Sequence, residues 1–366
     1  MLFFSVLLVV YGIGAALKVK AKTEKQANII KCFVLFPLFA LCAFRAMTVG
    51  NDTQTYYYGY VRIQNYGSIL AAIQGSRYEV GYTCLCYILN KINLSFLEMQ
   101  ILVSLFIYTS FLKFFKRYSV NFSFSCFIFL SLRYAMSTMN VTRMWVAVAI
   151  LLYSIQYIQD RKLLRFCLIV CVSSLFHVTA LVFLLLYPAV TLRVNKKTIS
   201  ITIMISVIFL MLGRALFIRI TSIIGRYGGY LNSSYFVFES NIAVYLSLAI
   251  NVALFALTYF TIGKKDSQIR INSSAVSIDR ICVTCGLLVT AIGIVGLGNT
   301  IMDRIAIYFG FLFTISLPLS IKKTNNSSNR AILYIALIIA LSAQFLVVMI
   351  LRPGWNGVTP YTFFWQ

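Results

Sequence analysis

The chain has 366 residues, of which 60% are hydrophobic and only 11% charged, far below the ~25% charged residues of an ordinary soluble domain. That composition excludes a water-soluble globular fold and leaves room for roughly eleven to thirteen helical spans, with no large soluble domain. The 32 Lys and Arg against 9 Asp and Glu give a formal charge of +23, but the basic residues gather in short loops. That pattern sets membrane orientation and does not resemble a nucleic-acid-binding module.

Uninterrupted apolar runs at 199–212 and 331–351 lack the alternation of barrel strands, so the predicted class is all-α, a polytopic membrane protein with residues 1–366 as one integral membrane domain. The first segment, 2–17, lacks a preceding basic stretch and is followed by Lys18, Lys20, Lys22 and Lys25, so it reads as a retained span and not a cleaved signal. With that basic loop in the cytoplasm, a second span at 29–49 exits, and residues 50–78 form the first outer loop. This loop is Tyr-rich at its start and carries a small amphipathic piece at 69–73.

Spans at 80–93 and 96–112 follow, and here the charge rule fails, because Lys113, Lys116 and Arg117 fall outside. Three explanations stay open: the segment 80–93 is re-entrant, the piece near 69–73 is re-entrant, or the basic cluster is an outward exception. Spans at 118–137 and 142–159 flank the polar corner MSTMNVTR and place Arg143 near the outer face, with Arg161, Lys162 and Arg165 behind them. Residues 163–191 are too long for one span and basic at both ends, so they read as a tight hairpin with His177 at its outer tip. A span at 198–213 leads to a second outer segment, 214–240, rich in Arg, Tyr and Gly. Spans at 241–262, 280–298, 301–321 and 331–351 precede an outer RPGWNGVTPYTFFWQ, and no internal repeat is visible.

Ionisable residues at membrane depth are costly and mark functional sites. At the predicted outer helix ends they are Arg45, Asp52, Glu79, Arg143, His177, Asp303 and Arg304. Arg45, one turn from an interface, is expected to snorkel. His177 is the only histidine, so no multi-histidine metal centre is possible, and no metal or cofactor is expected. An imidazole can take a proton from an acceptor hydroxyl or donate to a phosphate oxygen. Asp52 and Glu79 are the acids of the first outer loop and candidate general bases; Asp52 reads equally well as a helix cap within an interfacial tyrosine collar. Arg143, Arg304 and one of Arg214, Arg219 or Arg226 would clamp a diphosphate, guanidinium being the shape for bidentate phosphate contact. The nine cysteines make no disulfide framework, and Cys282 and Cys285 are assigned to packing. There is no P-loop, GxGxxG or GxSxG.

Six segments in series, NDTQTYYYGY, RYEVGYTCL, NVTRMWVAVAI, SLFHVTAL, RYGGYL and MDRIAIYFGFLFTISLPLSI, resemble the EpsG family of Wzy-like exopolysaccharide, capsule and O-antigen repeat-unit polymerases. The resemblance implies a GT-C-like membrane glycosyltransferase. Its substrate would be a polyprenyl-diphosphate-linked glycan, polymerised at the outer face of the bacterial plasma membrane beside flippase and chain-length regulator partners. It points to Asp52, Glu79, Arg143, His177, Arg304 and Tyr308; of the candidates, Asp52, Glu79 and His177 are expected to be catalytic, and Arg143, Arg304 and Tyr308, with Arg226 and Tyr227, to bind substrate. One departure is Met144, where the family often has Gln after the Arg, so a role carried by that amide does not transfer. Two rivals remain. A flippase of lipid-linked glycan should show inverted repeats and broken midplane helices. A membrane O-acyltransferase should place an acid beside its catalytic His, and none is expected beside His177.

Overall fold

The computed structural model describes residues 2–17, 22–224, 242–263, 275–297, 301–352 and 354–366. Among them the regular structure is helical, and it divides into two compact units, residues 1–181 with 328–366, and residues 182–327.

In the first unit, α1 (Leu2–Leu17) packs on α7 (Phe122–Ser131), and the Asn121 amide donates to the Ala15 carbonyl at 3.1 Å. Helix α2 (Glu24–Ala43) packs on α6 (Phe96–Tyr118). Each of these two has a side-chain cap: Thr23 accepts from the Gln26 amide at 3.2 Å, and Ser95 with Glu98 closes a reciprocal capping box. Between α2 and α6 the presumed outer loop is itself helical, with α3 (Thr53–Gln64) and α4 (Ile69–Gly75), followed by α5 (Val80–Lys91). The amphipathic piece at 69–73 is α4, whereas the Tyr-rich start, read as loop, is α3. Asn90 of α5 donates to the Tyr60 carbonyl at 3.0 Å, and Tyr60 donates to the Leu94 carbonyl at 2.7 Å, so α3 is tied along α5.

Helix α5 has 12 residues and reaches only ~18 Å, well short of a hydrocarbon core of ~30 Å. A helix that short does not cross. This selects among the three explanations for the charge conflict: with α5 on the side where α6 begins, Lys113, Lys116 and Arg117 at the other end of α6 share a side with Lys22 and Lys25 at the start of α2.

Helices α7 and α8 (Tyr134–Asn140) bend by 58° at Arg133, which is left-handed with φ 63°. Then come α9 (Thr142–Leu151), a 3₁₀ turn, α10 (Ile155–Gln159) and α11 (Leu163–Ser174). Trp145 is fully buried; it packs at 5.8 Å from Phe111 and 5.6 Å from Phe129, and its indole N–H donates to Ser137 at 2.9 Å. That bond satisfies the only polar atom of the side chain.

In the second unit, α12 (Leu186–Ala189) and α13 (Lys196–Ile224) precede α14 (Ile242–Thr258), which runs into a π turn at Tyr259–Gly263. After these come α15 (Ile278–Gly296), α16 (Ile301–Gly310) and α17 (Phe313–Lys323). Val194, Phe255, Ile262, Val283 and Leu287 form its core. An ion pair joins Lys323 at the end of α17 to Asp279 at the start of α15. Cys282 and Cys285 are buried free thiols on α15.

Helix α18 (Ser327–Leu351) returns the chain to the first unit, where residues 354–366 brace the corner between α2 and α3. The Ala46 amide donates to the Thr362 carbonyl at 3.0 Å, Phe364 to Phe44 at 3.0 Å and Gly50 to Gly357 at 2.7 Å. Gly50 has φ 92°, and a Cβ there would run into the Met139 carbonyl, so glycine is required on both counts.

Among the described residues six helices are long and apolar enough to cross a membrane, or eight if each bent pair, α7 with α8 and α16 with α17, is one span. The sequence count of eleven to thirteen treated short apolar helices such as α11 as full spans. Gln100 of α6 donates to the carbonyls of Ala43 at 2.9 Å and Arg45 at 3.0 Å, both buried at the end of α2. Gln100→Ala leaves them unanswered and is expected to cost about 1–3 kcal/mol, read as a lower unfolding midpoint in detergent; an unchanged midpoint would show that this corner is held elsewhere.

Candidate functional site

Glu79 is the N-cap residue of α5, but its side chain does not cap the helix. It turns instead to two other elements. One carboxylate oxygen forms an ion pair with Arg143, the second residue of α9, and the other lies 3.2 Å from Nδ1 of His177 in the break after α11. The amide of Val178 also approaches that second oxygen, at 3.4 Å. Residues separated by up to 99 positions therefore meet at one carboxylate.

Gly81 makes this meeting possible. Its amide, in the first turn of α5 and without an intrahelical acceptor, donates to the Leu175 carbonyl at 2.8 Å, and a Cβ at Gly81 would sit 2.9 Å from Leu175. Glycine thus lets the end of α11 close onto α5 two residues before His177.

Arg143 is enclosed by aromatic faces. Its guanidinium carbon lies 4.7 Å from the ring centre of Tyr78, 5.7 Å from that of Tyr56 and 5.9 Å from that of Tyr82, a cation–π arrangement strengthened by burial. Burial pushes the Tyr56 phenol up to about 12, with the Arg143 charge acting the other way, so this phenol stays neutral and can donate. Nε of Arg143 and the hydroxyl of Tyr82 are buried without a hydrogen-bond partner, capacity that an incoming polar group can use.

Burial by itself would raise the Glu79 carboxyl, but the hydrogen bond from His177 and the charge of Arg143 outweigh it and hold the group at about 2, below its ordinary 4.5. At neutral pH Glu79 is ionised and can only accept. Nδ1 of His177 is therefore the donor, and a neutral imidazole so held keeps its lone pair on Nε2. The side chains of Arg143, Glu79 and His177 remain 20%, 14% and 22% exposed, so a substrate hydroxyl can reach them.

Of the sequence-predicted residues, Glu79, Arg143 and His177 are brought together. The expectation of no acid beside His177 is corrected: Glu79, 98 positions away in sequence, folds against it. Asp52 is the N-cap residue of α3, makes no side-chain cap bond, and donates its amide to Asn140 at 3.1 Å; it lies one helical turn before Tyr56. Arg45 does not snorkel. It is 3% exposed and donates to the Cys42 carbonyl and, at 3.4 Å, to Thr142, because the C-terminal segment covers it, with Phe363 bridging to its backbone. Arg304 and the fully buried Tyr308 lie on α16 of the second unit, and Arg219 on α13. The side chain of Arg214, and Arg226 and Tyr227 altogether, lie outside the described residues. Sequence reading missed Tyr56, Tyr78, Tyr82 and Gly81 as parts of the site. The available signal was spacing: Tyr78 and Tyr82, four apart, straddle Glu79, and Tyr56 follows Asp52 by four.

A model of the EpsG family matches residues 28–363. The chain belongs to the EpsG family. EpsG is a Wzy-like polymerase family, and membership supports an exopolysaccharide-related polymerase role for this multi-pass membrane protein. EpsG-family polymerases act on lipid-linked glycan substrates in membranes. No curated protein and no solved structure matches the chain. The matched region of this EpsG-family chain contains the whole Glu79, Arg143 and His177 cluster.

The lowered Glu79 value has a direct consequence for acid stability. A carboxylate with a depressed folded pKa stabilises the fold fully above its unfolded value, ~4.5, and loses that contribution as pH falls toward about 2. Glu79→Gln should therefore unfold more easily than wild type at pH 6, with the gap closing between pH 4.5 and 2. A gap independent of pH would show that the carboxylate charge is not what holds these elements.

Proposed function

We propose that the chain polymerises polyprenyl-diphosphate-linked oligosaccharide repeat units into a surface polysaccharide at the extracytoplasmic face of the bacterial plasma membrane. The observation that carries the chemistry is the Glu79 carboxylate shared between Arg143 and His177. In this reading His177 is the general base: Glu79 holds Nδ1–H, and Nε2 takes the proton of the acceptor sugar hydroxyl as that oxygen attacks the anomeric carbon of the donor. The bond from the anomeric carbon to the diphosphate oxygen breaks, and the lipid diphosphate leaves with its electron pair. Glu79 then offsets the positive charge gained by the imidazole, the orienting role an acid plays behind a catalytic histidine.

Arg143, already paired and ringed by tyrosines, acts first to fix Glu79; its unpaired Nε is its remaining contact for a substrate oxygen. Asp52, one helical turn before Tyr56, is assigned as a further substrate contact. The His177 and Glu79 pair also suits a membrane O-acyltransferase, and the two readings differ in product.

The test replaces Glu79 with Gln, and Arg143 and His177 with Ala, singly, in cells that still make the lipid-linked repeat. Loss of a general base or its orienting partner is expected to slow transfer by about 10²–10⁴-fold, seen as short polymer and accumulated lipid-linked repeat. Long polymer in all three, at normal membrane levels, would remove the proposed site. Normal length with loss of O-acyl groups would assign the pair to acyl transfer instead.

A further inference from the structure

A cavity of about 280 Å³ lies between α3 and the segment from Gly75 to Tyr78, the residue that also packs on Arg143. It is close to the lower limit of small-molecule sites, ~300 Å³, so it suits a single sugar residue and not a whole repeat unit. Exposed residues at its rim, Tyr58, Arg62 and Arg77 among them, open it to the surface.

Two features of its walls are built into the sequence. The first is aromatic. Tyr78 lies flat against α3 at Gly59, its hydroxyl donating to the Thr55 carbonyl at 2.8 Å, and Tyr66 lies against Gly75. A Cβ at either glycine would overlap the ring it faces, so the glycines create the space in which both rings stand as walls. Tyr66 is partly exposed and offers an apolar face to the C–H side of a pyranose, while Tyr78, buried among its neighbours, closes the back of the cavity. The second feature is charge. Arg62 and Arg77 also line the cavity, both are exposed, and neither has a carboxylate partner among the described residues. Arg77 is aimed by Tyr78, with its guanidinium 5.3 Å from that ring and 3.4 Å from its hydroxyl. No Asp or Glu lines the cavity. In a bare diphosphate site the two cations would suffice; the paired ring walls call for a ring.

We propose that this cavity is a subsite for an acidic sugar residue of the glycan, its carboxylate held by Arg62 and Arg77 and its ring by Tyr66 against the wall that Tyr78 closes. The inference rests on the polymerase reading for the identity of the glycan. It adds that the glycan carries negative charge, and that the residue so held lies one tyrosine ring from Glu79.

The test uses the full chain in lipid nanodiscs and three probes: an oligosaccharide bearing a glucuronate, the same oligosaccharide with that carboxylate reduced to the alcohol, and inorganic diphosphate. The acidic oligosaccharide is expected to bind about tenfold or more tighter than its reduced form, the worth of a hydrogen bond to a charged group. The double variant R62Q/R77Q should lose that preference, and R62K/R77K, which keeps both charges, should retain most of it. Equal binding of the two oligosaccharides, or a preference that survives R62Q/R77Q, overturns the proposal. Displacement of the sugar by inorganic diphosphate overturns it in favour of a phosphate site. Glu79→Gln separates this result from the function reading. Shortened polymer without an acid preference defeats the subsite alone, and an acid preference with normal polymer in Glu79→Gln defeats the catalytic reading of the Glu79 cluster alone.

Discussion

A carboxylate surrounded by apolar helices has to be answered by positive charge and hydrogen-bond donors, because water is too scarce there to do it. Glu79 is answered from α9 by Arg143 and from the end of α11 by His177 and the Val178 amide. Those donors come from elements that no local sequence rule brings together. Their convergence fixes the end of α5 against two other helices, and Gly81 sets how closely the last of them approaches. Removing one partner would strand charge in a poorly hydrated place, so the cluster acts as a unit.

The same arrangement separates two kinds of arginine. Arg143 has its charge matched by Glu79 and by three ring faces, and its field outside the cluster is correspondingly small. Arg62 and Arg77 face open space with their charge unmatched. In a chain with 32 Lys and Arg against 9 Asp and Glu, most unmatched cations follow from membrane orientation. These two stand apart because they share a cavity with fixed aromatic walls.

Composition and apolar periodicity made the helical membrane class legible, since they are additive along the chain. The six motif segments made the family legible, and with it Glu79, Arg143 and His177 as individual residues. Their mutual contact was not, because a meeting across 98 positions leaves no local trace. The short helices were the other obscure feature. Residues 163–174 are apolar enough for a span, and only their length in three dimensions shows α11 to be too short; residues 80–93 read as a span in sequence, and α5 is likewise too short. Tyr56, Tyr78 and Tyr82 were hidden for a related reason: their four-residue spacing from one another and from Asp52 is a weak signal in a tyrosine-rich segment, where many rings share such spacings and face lipid.

The C-terminal brace bears on how such a chain is made. Residues 44–51, which lead into Asp52, bond to residues 354–366, a gap of about 300 residues that a ribosome crosses on the order of 15–60 s at ~5–20 residues per second. Glu79, Arg143 and His177 all emerge within the first half of that interval, so their cluster can assemble while translation continues. The corner holding Asp52 cannot close until the last helix has been inserted. A nascent protein can therefore bring Glu79, Arg143 and His177 together well before the corner that holds Asp52 is secured, and premature termination would leave a membrane-inserted but unclosed molecule.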